Sequence, residues 1–208
     1  RHDPDDSTSL LHDDIRALFE SPDGRMCVVT AAGICFYNPK DERFSSGPLQ
    51  LQTSFGLPSE NLSNIVRDND GIYWFLLPDA GVVRYDAGRK QSLHLKHNPN
   101  DTTTISSNRI TAIAQHPDKS YWLFHSNGVL EKLIQTKNGF KVTDRKNTFG
   151  KVKESNNLYL PGNILIDSDG DVWIHVTNRP LGVLFFDVKT QKLRHIHSKS
   201  VGARLTND

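Results

Sequence analysis

Sulfur is scarce in this chain, which has two cysteines and one methionine among 208 residues. Two thiols cannot build the disulfide framework that staples small secreted domains. At most one bridge could form, between Cys27 and Cys35, and only with suitable geometry in an oxidising compartment. The simpler reading is two small buried hydrophobes. Long apolar runs are also missing, so no segment of the sequence reads as a membrane-spanning helix. Neither sign of charge dominates: 25 basic and 24 acidic side chains leave a net charge of +1. That balance gives no broad electrostatic footprint for nucleic acid or for an anionic membrane. A sustained 3.6-residue apolar period is absent, so helix should be close to nil. The stretch from Asp13 to Glu20 looks like a helix start, but its repeats elsewhere in the chain are strand-like. The chain opens Arg1-His-Asp-Pro without a secretory leader, as a mature chain or a fragment would.

Catalytic signatures are missing as well. The sequence contains no Gly-x-Ser-x-Gly turn, phosphate loop or dinucleotide fingerprint. Asp167-Ser-Asp-Gly-Asp171 invites a calcium reading, but Gly170 is its fourth residue and the twelfth is Asn178, where the helix-loop-helix calcium loop needs glutamate. A hairpin turn accounts for it better. His195 and His197 would share one face of a strand, yet no pattern supplies a third ligand. No metal and no cofactor are expected.

What the sequence does have is self-similarity. Trp74 ends Asp68-Asn-Asp-Gly-Ile-Tyr-Trp74, Trp122 ends His116-Pro-Asp-Lys-Ser-Tyr-Trp122, and Trp173 ends Asp167-Ser-Asp-Gly-Asp-Val-Trp173. One repeat earlier, Ser21-Pro-Asp-Gly-Arg-Met-Cys27 puts Cys27 where the others carry tryptophan. The spacings are 74 − 27 = 47, 122 − 74 = 48 and 173 − 122 = 51. Each block runs on into a glycine and an apolar stretch, at Gly33, Gly81, Gly128 and Gly182. Alternating segments precede the blocks, and a more polar strand follows each, around Phe44, Leu93, Phe140 and Leu193 to Ile196. The stretch from Arg1 to Ile15 also matches Lys96 to Ile110 at an offset of 95, about two repeats.

Each repeat therefore reads as four short strands separated by turn residues. The Asp-x-Asp-Gly turns suit tight hairpins, because glycine accepts positive φ and aspartate bonds its own backbone. Lys119 and Ser120 replace the glycine step in the third repeat, so that turn should differ. The fold class expected is all-β: about four four-stranded antiparallel β-propeller blades, at 11–46, 58–96, 106–143 and 158–198. Cys27, Trp74, Trp122 and Trp173 are the expected inter-blade core. The segment reads as part of a longer propeller, with a closed four-bladed ring as the alternative.

The pattern Asn-x-Ile-x-x-Ile, Asp-x-x-Gly, aromatic-Trp and Gly-Val-x-x-Tyr-Asp resembles the two-component regulator propeller repeat. It is carried by Asn108 to Ile113, Asp68 to Trp74 and Gly81 to Asp86. The lead-in Arg1 to Leu10 also looks like that family's interblade linker, and the resemblance covers essentially the whole chain. It implies seven blades per propeller and a dimer. It places the segment in the periplasmic sensor region of a membrane-anchored, often hybrid, histidine kinase, or of a related diguanylate cyclase. Ligands implied by the resemblance are small molecules, saccharides among them.

Candidate ligand residues are read from the least repetitive loops, since rigid scaffolds carry their sites on variable loops. They are Asp79, His125, Asn127, Asn178 and Arg179, with Arg109 from the strand-entry side. No catalytic residue is assigned. The alternatives are a propeller enzyme, such as a lyase or glycan hydrolase, or a protein-interaction scaffold.

Overall fold

The computed structural model describes residues 1–21, 24–45, 55, 57–58, 62–148, 162–176 and 182–196. They form sixteen strands in four sheets of four. The first sheet holds β1 (Ile15–Glu20), β2 (Met26–Thr30), β3 (Gly33–Asn38) and β4 (Arg43–Ser45). The second holds β5 (Asn64–Arg67), β6 (Tyr73–Leu77), β7 (Gly81–Asp86) and β8 (Gln91–Leu95). The third holds β9 (Ile110–Gln115), β10 (Tyr121–His125), β11 (Val129–Thr136) and β12 (Gly139–Asn147), the last running past the expected boundary at 143. The fourth holds β13 (Gly162–Ile166), β14 (Val172–Val176), β15 (Val183–Asp187) and β16 (Lys192–Ile196). In each sheet the strands lie in chain order. The chain divides into two compact units, 1–78 with 82–94 and 79–81 with 95–208.

The first hairpin of each sheet uses one turn, four times. The turn's first residue donates to the carbonyl four residues on, and its fourth residue donates back to the first. The pairs are Ser21 with Arg25 and Gly24, Asp68 with Ile72 and Gly71, His116 with Ser120 and Lys119, and Asp167 with Asp171 and Gly170. The expectation that the third turn differs is corrected: Lys119 adopts φ 68°, beside 78° at Gly71 and 85° at Gly170. The hairpin geometry outweighs the local preference of lysine, at a cost of about 1–2 kcal/mol for the left-handed conformation.

In the first unit, sheets one and two meet through aromatics. Phe19 and Tyr73 pack edge to face at 6.2 Å, and the Tyr73 hydroxyl donates to the Glu20 carbonyl at 2.7 Å. Phe55 fills in against Phe75 and Tyr85, at 4.8 and 5.0 Å. In the second unit, Ala112, Trp122, Phe124 and Leu130 of sheet three pack on Val172, Ile174, Val176, Leu184 and Phe186 of sheet four. Trp122 meets Phe186 edge to face at 5.4 Å. Gly162 lets β13 close over this interface, since a methyl there would stand 3.0 Å from the Phe124 ring.

Cys27, Trp74 and Trp122 are buried. Trp173 is only half-buried, a correction to its place in the expected core. It alternates with Val172 and Ile174, which face sheet three, so it lies on the other face of sheet four. Among the described residues no sheet covers that face, and Trp173 rests on Phe185 of its own sheet at 4.6 Å. Cys27 and Cys35 are free thiols. Phe36 stands across from Cys27 and Val28 across from Cys35, so the two sulfurs lie on opposite faces and cannot bridge.

The 95-residue echo is a structural equivalence. His2 Nδ1–H donates to the Leu10 carbonyl and His97 Nδ1–H to that of Ile105, at 2.6 and 2.8 Å. Asp6 and Asp101 accept from Thr8 and Thr103. The carbonyls of those threonines accept the N–H groups of Phe44 and Val142, in the outermost strands β4 and β12. Each lead-in is thus a strap fastened across the sheet it introduces.

Two substitutions test these packing assignments by chemical denaturation. Trp74→Ala should lose about 3–5 kcal/mol, as buried aromatics do, and Trp173→Ala markedly less. Lys119→Gly should raise stability by roughly 1 kcal/mol, by relieving the left-handed residue.

Candidate ligand-binding site

The candidate residues sit at one end of the strands, in the second unit. The Gly81 N–H donates to the Asn108 carbonyl, and the Ser126 N–H to the Arg109 carbonyl, both at 2.9 Å. These two backbone bonds bring the turn at Asp79, the entry to β9 and the β10–β11 hairpin together. Arg109 Nε donates to Asp79 Oδ1 in a short contact. The side chains stay 61% and 66% exposed. An exposed pair adds only about 0–1 kcal/mol to stability, so it can exchange partners with a ligand cheaply. Asn127 spends its Oδ1 on the Val129 N–H at 3.2 Å, which shapes the hairpin and leaves its amide nitrogen to donate. Asn178 and Arg179 lie outside the described residues.

His125 does not join them, which corrects its reading as a loop ligand. It ends β10 and turns inward to a fully buried position. Its Nε2–H donates to Glu131 Oε2 at 2.8 Å. Glu131, equally buried, also accepts from Arg145 Nε at 2.5 Å and from the Ser106 N–H at 3.1 Å. Arg145 reaches on to the Thr104 carbonyl. Burial alone would push the Glu131 carboxyl up; His125, Arg145 and the Ser106 N–H outweigh it and hold it down at about 2. This cluster sits under the strap of sheet three. In sheet one the matching space is apolar: Cys35 stands across from Val28 as Glu131 stands across from Leu123, with Leu10, Leu11 and Phe44 around it. Glu131 and Arg145 carry no signal in the sequence, because alternate charged residues on a strand usually mean a solvated face. Only the β11–β12 register places them opposite each other.

The Asp167 carboxylate is already committed. Its Oδ1 accepts from Asp169 and Asp171, and its Oδ2 from the Trp173 indole at 2.7 Å. It is therefore a turn carboxylate, held below its usual range by the indole bond, with burial opposing and the turn N–H groups adding. Among the described residues no group of three or more His, Cys, Asp and Glu side chains could hold a metal ion. His197, one of the pair considered with His195, lies outside those residues.

No protein-family model and no curated protein matches the sequence. Solved structures do match. One is the extracellular domain of a protein described as a hybrid two-component system from B. thetaiotaomicron, with TM-score 0.64 and 16% identity, covering 90% of this chain and 25% of that one. These sheets are β-propeller blades. The extracellular domain of a protein described as a one-component system from the same organism matches at TM-score 0.60 and 18% identity, over 88% and 25%. Virginiamycin B lyase from Staphylococcus aureus matches at TM-score 0.53 and 15% identity, over 91% and 57%. At identities this low, the structural likeness establishes the propeller fold alone. The chain spans about a quarter of the length of the two extracellular domains.

The blade-three cluster has a pH signature. Glu131 is lowered from 4.5 to about 2, so its stabilising contribution is present above about pH 4.5 and fades as pH falls towards 2. Glu131→Gln should cost about 3–5 kcal/mol at neutral pH, as expected for a broken buried pair. Urea titrations at a series of pH values should show this gap narrowing below pH 4.5, the ordinary glutamate value.

Proposed function

We propose that this chain is a non-catalytic, extracytoplasmic ligand-sensing propeller segment of a bacterial two-component signalling protein. The observation that carries the reading is the exposed Asp79–Arg109 pair, held on a rigid frame at a loop-bearing blade end. A carboxylate beside a guanidinium offers acceptors and donors side by side, a combination suited to vicinal hydroxyls. A saccharide is therefore the ligand class we assign. The repeat pattern and the likeness to the two extracellular domains support the signalling context. In that context the parent protein is membrane-anchored and dimeric, the segment faces the periplasm, and a kinase or cyclase output lies elsewhere in the parent.

The lyase shares the fold, so fold does not separate sensor from enzyme. Catalysis would need a reachable acid–base pair. The His125–Glu131 pair is fully buried, and Asp79 is paired with an arginine.

A thermal-shift panel of mono- and oligosaccharides on the full-length parent tests the reading. A sugar at about one hundred times its Kd should stabilise the propeller by roughly 2.7 kcal/mol. Asp79→Ala and Arg109→Ala should remove that shift without lowering the ligand-free Tm by more than about 2 °C, since exposed pairs add little stability. A panel with no stabilising sugar and no change in signalling output would refute saccharide sensing. Turnover of a bound sugar would favour the enzyme.

A further inference from the structure

In the second and fourth blades one carboxylate fills two roles. Asp68 Oδ1 accepts the turn N–H groups of Asp70 and Ile72, and its Oδ2 accepts the Trp74 indole N–H at 3.0 Å. Asp167 does the same with Asp169, Asp171 and Trp173. The third blade is wired differently, because His116 stands at that position. Asp118 takes over the turn, accepting the N–H of Ser120 at 2.9 Å and its hydroxyl. The Trp122 indole N–H is buried and has no partner among the described residues.

His116 is released from the indole and reaches the next blade. Its Nε2 lies 3.1 Å from the carbonyl oxygen of Gly170, in the β13–β14 turn. The fit is close: a methyl on Gly170 would stand 2.6 Å from Nε2. On the other side, Nδ1 lies 2.8 Å from Asp118 Oδ1. Two acceptor oxygens thus flank one ring, and a neutral imidazole has one N–H to share between them while an imidazolium has two. The Asp118 N–H, 3.2 Å from Nδ1, could serve a neutral ring. That arrangement would aim a ring lone pair at a carboxylate oxygen only 2.8 Å away. Charged groups of both signs surround the ring. Lys132 Nζ holds Asp118 Oδ2 at 2.8 Å, while the facing turn carries Asp167, Asp169 and Asp171, the last accepting from the Val188 N–H.

We propose that His116 is an acid-responsive latch between blades three and four, closed when its ring is protonated. It gives the segment a second input, the proton. The β9–β10 turn that carries it lies at the opposite end of the strands from Asp79 and Arg109, so the latch stands or falls independently of the saccharide reading.

The test uses the full 208-residue chain. Nitrogen-15 spectra of the ring at pH 5.5 should show both Nδ1 and Nε2 of His116 protonated. The folding equilibrium constant of the wild type relative to His116→Gln should be about tenfold larger at pH 5 than at pH 8, across the range where imidazole changes charge. The difference between the two proteins cancels the other histidines. His116→Asp rebuilds the arrangement of the neighbouring blades, so the Trp122 indole N–H should gain a partner and shift downfield, and the acid-dependent gain should vanish. A difference that stays flat from pH 5 to 8, a ring with one proton at pH 5.5, or an aspartate variant that keeps the wild-type pH response would each overturn the latch.

Discussion

A small antiparallel sheet has two faces, and it can exclude water from both only when something flat lies against each. Everything in this molecule follows from that requirement. The central strands β6 and β10 are buried along their whole length, whereas β14 is buried only at alternate residues. Burial of a strand depends on what lies against each of its faces. The aromatic residues that recur in the repeat set how closely neighbours approach, since edge-to-face contacts such as Trp122 on Phe186 need a fixed spacing between sheets.

The repeat was plain in the sequence because packing demands the same residue type at the same register, and tryptophan is conspicuous. The strands and their order follow from that pattern, and the 95-residue echo marks the two matching lead-ins without showing that they fasten the sheets. Three features were hidden, each for its own reason. Trp173 looks like its sister tryptophans, but burial depends on what lies opposite, and composition does not report that. Lys119 breaks the glycine rule without breaking the turn, because the two backbone bonds of the turn and the strand pairing beyond it dominate a single residue's preference. His125, Glu131 and Arg145 look like solvated polar residues. They are interior because the strap closes over them and because each charge finds a partner there. Asp79 and Arg109 were each legible as loop candidates, but their meeting across thirty residues of chain was not.

The buried cluster and the exposed pair are mechanically joined. The β10–β11 hairpin carries Asn127 at its tip and His125 at its base, and the base is tied to Glu131. The same hairpin receives the Arg109 carbonyl through Ser126. Arg145 and the Ser106 N–H bind Glu131 to the strap. Side-chain bonds through Glu131 thus connect the hairpin base directly to the strap.

The strap introduces sheets one and three, with His2 and His97 in matching roles 95 residues apart. The lead-in to the second sheet, Ser45-Ser-Gly-Pro-Leu-Gln-Leu, has a different sequence. The chain therefore has two nested periods, a single sheet and a pair of sheets. A cut between a strap and the sheet it introduces would leave the outermost strand, at Phe44 or Val142, without the threonine carbonyl to which it donates.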